Sequence, residues 1–213
     1  MIINKLENLT LADLQQIGEL RPDLARFADF VLANTYDKFL EILHKDLQDC
    51  IESIEINPSV RQKDSEDRIT EDVIGWLRAR GYYASHDEQV GGHCDVVVRV
   101  RDKPFMWLGE AKKHSAYEDL QTGFNQLCTR YARGTPNNDN GGLIIYIYNE
   151  KATDVIAEWK KRLRNLELEK YYEKECDSRS HLSFYSTHTH QSSGLPYTVK
   201  HMGVVLHFKP LDR

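Results

Sequence analysis

Two apolar runs, Val96-Val-Val-Arg-Val100 and Phe105-Met-Trp-Leu108, flank the tripeptide Asp102-Lys103-Pro104. Short runs of β-branched and aromatic residues broken by Asp and Pro favour strands that fold back on each other. The pattern predicts a β-hairpin with strands over Asp95–Arg101 and Phe105–Lys112. Its surroundings read as alternating helix and strand. A helix over 66–80 is stopped by Gly81, and a short β run, Tyr82–Ser85, follows. Beyond the hairpin come a helix over Tyr117–Ala132, a turn-rich loop over Gly134–Gly142 and a buried strand over Leu143–Tyr148. A helix over Thr153–Leu168 and β runs at His181–Thr187 and Met202–Lys209 complete the series. That order predicts an α/β fold with a mixed sheet flanked by helices.

The first third is of a different kind. Thr10 precedes Leu11-Ala-Asp13, an N-cap followed by a carboxylate at the third helical position. A short helix to about Leu20 is expected, and Pro22 suits the first turn of the next, where a missing N–H costs nothing. Leu24, Phe27, Val31, Leu32, Tyr36, Phe39, Leu40, Leu43 and Leu47 recur every three or four residues. They predict an amphipathic helix, or two joined near Asn34. Residues 56–65 break the pattern as a linker would. The expected organisation is an N-terminal helical subdomain, 1–60, added to an α/β domain, 61–213.

The chain has 213 residues, 40% hydrophobic and 29% charged, within the range of soluble globular proteins. No apolar run approaches the roughly 20 residues a membrane-spanning helix needs. Met1-Ile-Ile-Asn-Lys-Leu-Glu7 lacks a basic segment leading into an apolar one. A cytoplasmic protein without membrane attachment is expected. Cys50, Cys94, Cys128 and Cys176 are far apart, which suits reduced, buried thiols better than a disulfide framework or a zinc ribbon. The net charge of −5 argues against indiscriminate nucleic-acid binding. The charge is uneven, however. Residues 1–67 carry 7 Lys/Arg against 14 Asp/Glu, and residues 68–213 carry 21 against 19. The larger part of the chain is thus free to approach an anion.

Chemistry concentrates at the ends of the hairpin strands. Asp95 opens one strand; Glu110 and Lys112 close the next, on one face because side chains alternate. The hairpin brings Asp95 beside Glu110 among apolar neighbours. Two carboxylates in such a place call for a cation. Their hard oxygen donors suit magnesium, with manganese as a substitute. A lysine beside them can orient or deprotonate an attacking water, and a metal can stabilise charge developing on a phosphate. Metal-assisted phosphodiester hydrolysis is the expected chemistry.

The placement of Asp95 and of Glu110-Ala111-Lys112 on a hairpin after an acidic helix resembles the PD-(D/E)XK nucleases, whose fold is restriction-endonuclease-like. The resemblance spans residues 66–150. It implies that Asp95, Glu110 and the backbone carbonyl of Ala111 hold the metal and that Lys112 positions the nucleophile. Cys94 stands where many members have proline. The family often adds a glutamate from the preceding helix. At about 100° per residue, Ile69, Val73 and Leu77 lie within about 60° of Glu66, while Glu71 lies about 140° away. Glu66 is therefore favoured over Glu71, against the plainer role of a first-turn carboxylate that favours the helix dipole. Gln126 and Tyr131 resemble a Gln…Tyr element of exonuclease and resolvase-like members, with one residue more between them, which weakens the case for Tyr131 more than for Gln126. Lys113 and His114, and Arg130 with Arg133 at i,i+3, are candidate phosphate contacts. The Lys160–Arg164 run reads as a solvated helix face. His188-x-His190, with His181, His201 and His207, lacks the cysteine or carboxylate that would complete a zinc site.

The function expected is an endonuclease acting on DNA; RNA remains open, because the motif addresses phosphate and not sugar. By analogy with the family, a regulated effector or subunit of an anti-phage defence, restriction or repair system is implied. A protein partner on the N-terminal helices and a homodimer fit that role. The alternative is a catalytically silent nuclease-like module serving assembly.

Overall fold

The computed structural model describes residues 9–16, 18 and 20–212. The Met1–Glu7 reading lies outside them, as do Ile17 and Glu19 of the first expected helix. The chain divides into two compact units, Met1–Gln48 and Asp49–Arg213. The division falls inside a helix, earlier than the linker read at 56–65.

In the first unit, α1 spans Leu11–Gln16 and α2 spans Pro22–Leu32. Thr10 and Asp13 cap α1 reciprocally: Asp13 N donates to Thr10 Oγ1 at 3.2 Å, and Thr10 N donates to Asp13 Oδ2 at 2.8 Å. The amphipathic stretch breaks between Leu32 and Tyr36, so α3, Tyr36–Glu55, is a separate helix. Arg26 on α2 donates to both oxygens of Asp46 on α3, at 3.1 and 3.2 Å from Nε. Asp46 is buried, so this pairing replaces its lost water.

The second unit is built on a seven-stranded sheet in the order β1-β4-β5-β6-β9-β8-β7. Its strands are β1 (Tyr83–Ser85), β4 (Val96–Arg99), β5 (Met106–Lys113), β6 (Asn140–Ile147), β7 (Tyr172–Glu175), β8 (Ser183–Thr189) and β9 (Pro196–Val205). Two-residue strands β2 (Glu88–Gln89) and β3 (His93–Cys94) form a separate small ladder. β5 runs parallel to β6 and β6 to β9, whereas the other main-sheet pairs are antiparallel. The sheet is therefore mixed, with helices α4 (Glu66–Ala79), α5 (Tyr117–Asn125) and α6 (Ala152–Arg164) against it.

Burial decides which strands are central. β5 and β6 are buried on both faces over most of their length and lie in the middle. One face packs Val97, Leu108, Leu143, Ile145 and Val199 against Leu120, Phe124, Ile156 and Trp159 of the crossover helices. The other carries Val96, Val98 and Ala111, and α4 contributes Ile69, Val73, Ile74 and Leu77. All four cysteines are free and buried.

Several boundaries differ from the sequence reading. Asp95 sits in a one-residue bend between β3 and β4, so the first hairpin strand begins at Val96. The α-helix expected to reach Ala132 gives way at Gln126 to a π-helix, Gln126–Tyr131. The last strand starts at Pro196, not Met202, and ends at Val205. β7 has no signal in the sequence, because Tyr-Glu-Lys-Glu carries the composition of a solvated segment; it is an edge strand and mostly exposed.

Candidate active site

The register of the hairpin places the chemistry. Val96 pairs with Gly109 and Val97 with Leu108, so Asp95 stands across from Glu110 at the end of the ladder. Ala111 N donates to Asp95 Oδ2 at 2.9 Å, which fixes the aspartate in the bend. Glu110 and Lys112 share the face covered by α5. Gly123 of that helix lies directly over them: a Cβ there would stand 3.0 Å from Lys112 Cγ and 3.1 Å from Glu110 Cγ. A methyl there would press on both side chains, so glycine lets the helix lie this close without displacing them.

Lys112 Nζ stands 2.6 Å from Glu110, 3.5 Å from Glu66 and 3.6 Å from Asp95. Glu66 is delivered by the first turn of α4, whose N-terminus is capped by the Ser65 hydroxyl accepting from Arg68 N at 3.1 Å. Its second oxygen accepts from the backbone N of Lys113. Glu71 points elsewhere, to His86 Nδ1 at 3.1 Å. The four residues Glu66, Asp95, Glu110 and Lys112 are thus brought together.

The electrostatics follow from depth. Glu110 is 2% exposed at its side chain, and burial, followed by the charge of Asp95, pushes its carboxyl up to about 7. Lys112 moves the other way from a desolvated amine: the surrounding carboxylates, Glu110 foremost, outweigh burial and hold its pKa above the usual value. One oxygen of Glu110, Oε2, is buried with no hydrogen-bond partner. A buried carboxylate oxygen without a donor is costly and suits a bound cation. The donor set fits magnesium, which takes one or two carboxylates and keeps several waters. Among the described residues no three His, Cys, Asp or Glu side chains gather closely enough to hold an ion by themselves. Asp95, Glu110 and the Ala111 carbonyl would then form a partial shell completed by water.

A cavity of about 390 Å³ adjoins these groups, lined by Glu66, Lys112, Lys113, His114, Ser115, Asp119 and Thr122. Lys113 Nζ lies 4.2 Å from the centroid of the Tyr148 ring and 3.4 Å from Asp64 O. His114 Nδ1 lies 3.0 Å from Asn149 Oδ1, leaving Nε2 buried without a partner. Both therefore line the cavity while already engaged in it.

Gln126 and Tyr131 open and close the π-helix. In an α-helix, residues five apart lie about 140° from each other. A π-helix closes its hydrogen bonds over five residues, so such positions come back toward one face. Ala132 N accordingly donates to Leu127 O at 3.0 Å. Gln126 is half-buried; its backbone N–H donates to Gly123 O and Thr122 O, while its side chain makes no hydrogen bond among the described residues. Tyr131 is buried; burial and the nearby charges of Glu110 and Asp95 push its hydroxyl up to about 12. The ring thus stands near the carboxylates despite the extra residue, because the wider helix absorbs it. Spacing counted on an α-helix could not reveal this.

The paired arginines need correction. Arg130 is on the π-helix, but Arg133 lies beyond its end, after Ala132 turns extended at φ −68° and ψ 142°. They share no helix face, although both are exposed. Arg130 instead backs the Gly91–Gly92 turn that leads to Asp95. Gly91 has φ +68°, and a Cβ there would fall 2.2 Å from Arg130 O. That turn needs glycine both for its conformation and for this approach.

The histidines of the C-terminal strands belong to the core. Trp159 Nε1 donates to His201 Nδ1 at 3.1 Å, and His201 Nε2 lies 2.8 Å from Ser186 Oγ. Lys160 of the basic run is paired with Glu175. No helix among the described residues is long and apolar enough to cross a membrane. No protein-family model, curated protein or solved structure matches the chain.

Proposed function

We propose that the chain is a metal-dependent nuclease hydrolysing phosphodiester bonds, with DNA as substrate, on a restriction-endonuclease-like α/β domain. The observation that carries this reading is the meeting of Asp95, Glu110, Lys112 and Glu66 at one end of the hairpin, with a buried carboxylate oxygen left unpaired. Asp95, Glu110 and the Ala111 carbonyl would hold magnesium or manganese. When bound, the metal supplies a polarised water and neutralises charge on the phosphate. Lys112, held cationic by its carboxylates, donates to that water or to a phosphate oxygen and does not act as the base. Glu66, partly exposed and 3.5 Å from Lys112, is placed to take the proton released. Lys113 and His114 line the adjoining cavity where a phosphate flank would pass.

A role as a regulated effector or subunit in defence, restriction or repair rests on the first unit. Phe27, Val31 and Leu32 of α2 are 43–50% exposed, an apolar face of the kind that receives a protein partner or a second copy. One observation favours the alternative, a silent module: the Lys112–Glu110 pair at 2.6 Å already offsets part of the buried charge.

The test is cleavage of supercoiled plasmid, single-stranded DNA and RNA with magnesium, manganese or EDTA. Wild type is compared with Asp95→Ala, Glu110→Ala and Lys112→Ala. Metal-dependent cutting lost in all three is expected. Cutting retained in the variants overturns the site, and no cutting by any sample overturns a nuclease active on its own, in favour of the silent module or of an enzyme that needs its partner.

A further inference from the structure

A second cavity, of about 660 Å³, opens at the β1 edge of the sheet, away from the carboxylates. The volume is that of a site for a nucleotide-sized ligand. Its walls include Tyr83 of β1 and three arginines, Arg78, Arg99 and Arg101, against one carboxylate, Glu88. In a chain with a net charge of −5, this is a local excess of positive charge.

The arginines are not equivalent. Arg99 is committed to Glu88 through two hydrogen bonds, at 2.6 and 2.9 Å, and Arg78 Nε donates to Ala84 O at 2.8 Å. The Arg101 guanidinium lies 5.9 Å from the centroid of the Tyr83 ring and forms no hydrogen bond. Tyr83 is 53% exposed, whereas the adjacent Tyr82 is buried. A large aromatic ring held at a sheet edge and left half in solvent, with a free guanidinium beside it, presents a planar stacking surface and an anion contact together.

The geometry points to this cavity as a subsite for one base of a single-stranded nucleic acid, stacked on Tyr83 with its phosphate contacted by Arg101. The inference rests on the nuclease reading for its choice of ligand, and it names the strandedness of the substrate. Tyr83 pairs with Arg99 across the β1–β4 ladder, so their side chains share one face of the sheet edge. Arg99 lies four positions beyond Asp95 along an extended segment, about 13 Å at 3.3 Å per residue. That is about four nucleotides at the 3.4 Å stacking repeat. An added peptide strand is the less suitable occupant, because β1 offers only three residues of edge.

The test uses the full chain in EDTA, so that nothing is cut, with a 12-nucleotide single-stranded DNA carrying 2-aminopurine at each position in turn. Stacking quenches this base. Wild type and Asp95→Ala should quench one position. Tyr83→Leu should abolish the quench and weaken binding about 5- to 150-fold, the range for loss of one base–aromatic stack. Tyr83→Phe should bind within twofold of wild type, and Arg101→Gln should lower the slope of log affinity against log salt by about 0.7. Thermal melting checks that each variant is folded. An unquenched probe at every position, or Tyr83→Leu binding like wild type, overturns the subsite. Cutting in magnesium is scored separately. Quenching without cutting keeps the subsite and removes the nuclease, and cutting with Tyr83→Leu affinity unchanged does the reverse.

Discussion

Acid should unfold this protein through His201 before most of its carboxylates titrate. The imidazole is fully buried, stacked on Phe184 with ring centroids 4.3 Å apart and planes 8° apart. Trp159 Nε1 can only donate, so Nδ1 must accept and the ring carries its proton on Nε2, toward Ser186 Oγ. Protonating Nδ1 would set an N–H against the indole N–H in a dry site. Burial foremost, then the positive charges of His188 and Lys160, hold the His201 pKa down to about 3. An unfolded histidine titrates near 6.5. Between these values the unfolded chain binds the extra proton, so stability is full above pH 6.5 and falls as pH drops toward 3. At about 1.4 kcal/mol per pH unit, descent from pH 6.5 to 4.5 costs about 3 kcal/mol from this one group. Urea unfolding of wild type and His201→Gln across that range isolates the effect, because the amide can serve both partners without gaining a charge. The stability gap between the two should close by about 3 kcal/mol as the pH falls. A gap that stays constant within about 0.5 kcal/mol would refute the buried-neutral argument. A wild-type melting point raised by zinc would restore a ligand role for these histidines.

Three further perturbations address the scaffold around the candidate site. Gly123→Ala adds a methyl 3.0 Å from Lys112 Cγ while improving helix propensity by about 1 kcal/mol; stability by urea should stay within about 1 kcal/mol of wild type, while cleavage falls at least tenfold. Thr70→Val removes the partner 3.0 Å from the buried Tyr146 hydroxyl and should cost about 1–3 kcal/mol by denaturant midpoint. Arg179→Gln breaks a pairing with Glu55 at 2.6 and 2.9 Å and a bond to Gly203 O at 2.8 Å. Because the pair keeps some contact with solvent, a loss of about 2 kcal/mol is expected, and most of it should persist in high salt.

How much of this was legible in the sequence depended on the range of the forces involved. The Thr10–Asp13 cap, Pro22 at a helix start and the hairpin around Asp102-Lys103-Pro104 are local events, encoded within a few residues. The hairpin was the decisive one. Once strand register sets Asp95 against Glu110, alternation places Lys112 on the same face, and an angular count along α4 brings Glu66 to them. Edge strands were harder to read. β7 is four mostly exposed residues, and its polar composition matches a solvated loop as well as a strand. β9 starts six residues early because Pro196 sits at the strand's first position, where a missing donor does no harm.

The π-helix marks the limit of such reading. Reading Arg130 and Arg133 as one helix face at i,i+3 fails because the segment is not a regular α-helix and ends at Tyr131. The helix widens at Gln126, in the segment that backs the Gly91–Gly92 turn before Asp95. Widening costs hydrogen-bond quality and is rare in a helix with no other demand on it. Here the demand comes from both sides. Gly123 must sit on Glu110 and Lys112, and Tyr131 must reach the turn that positions Asp95, eight residues further on. A regular α-helix fixed at the first contact would rotate the second away, so the inserted residue reconciles two contacts with one site. The same two contacts explain why glycines, and not larger residues, stand at 91 and 123.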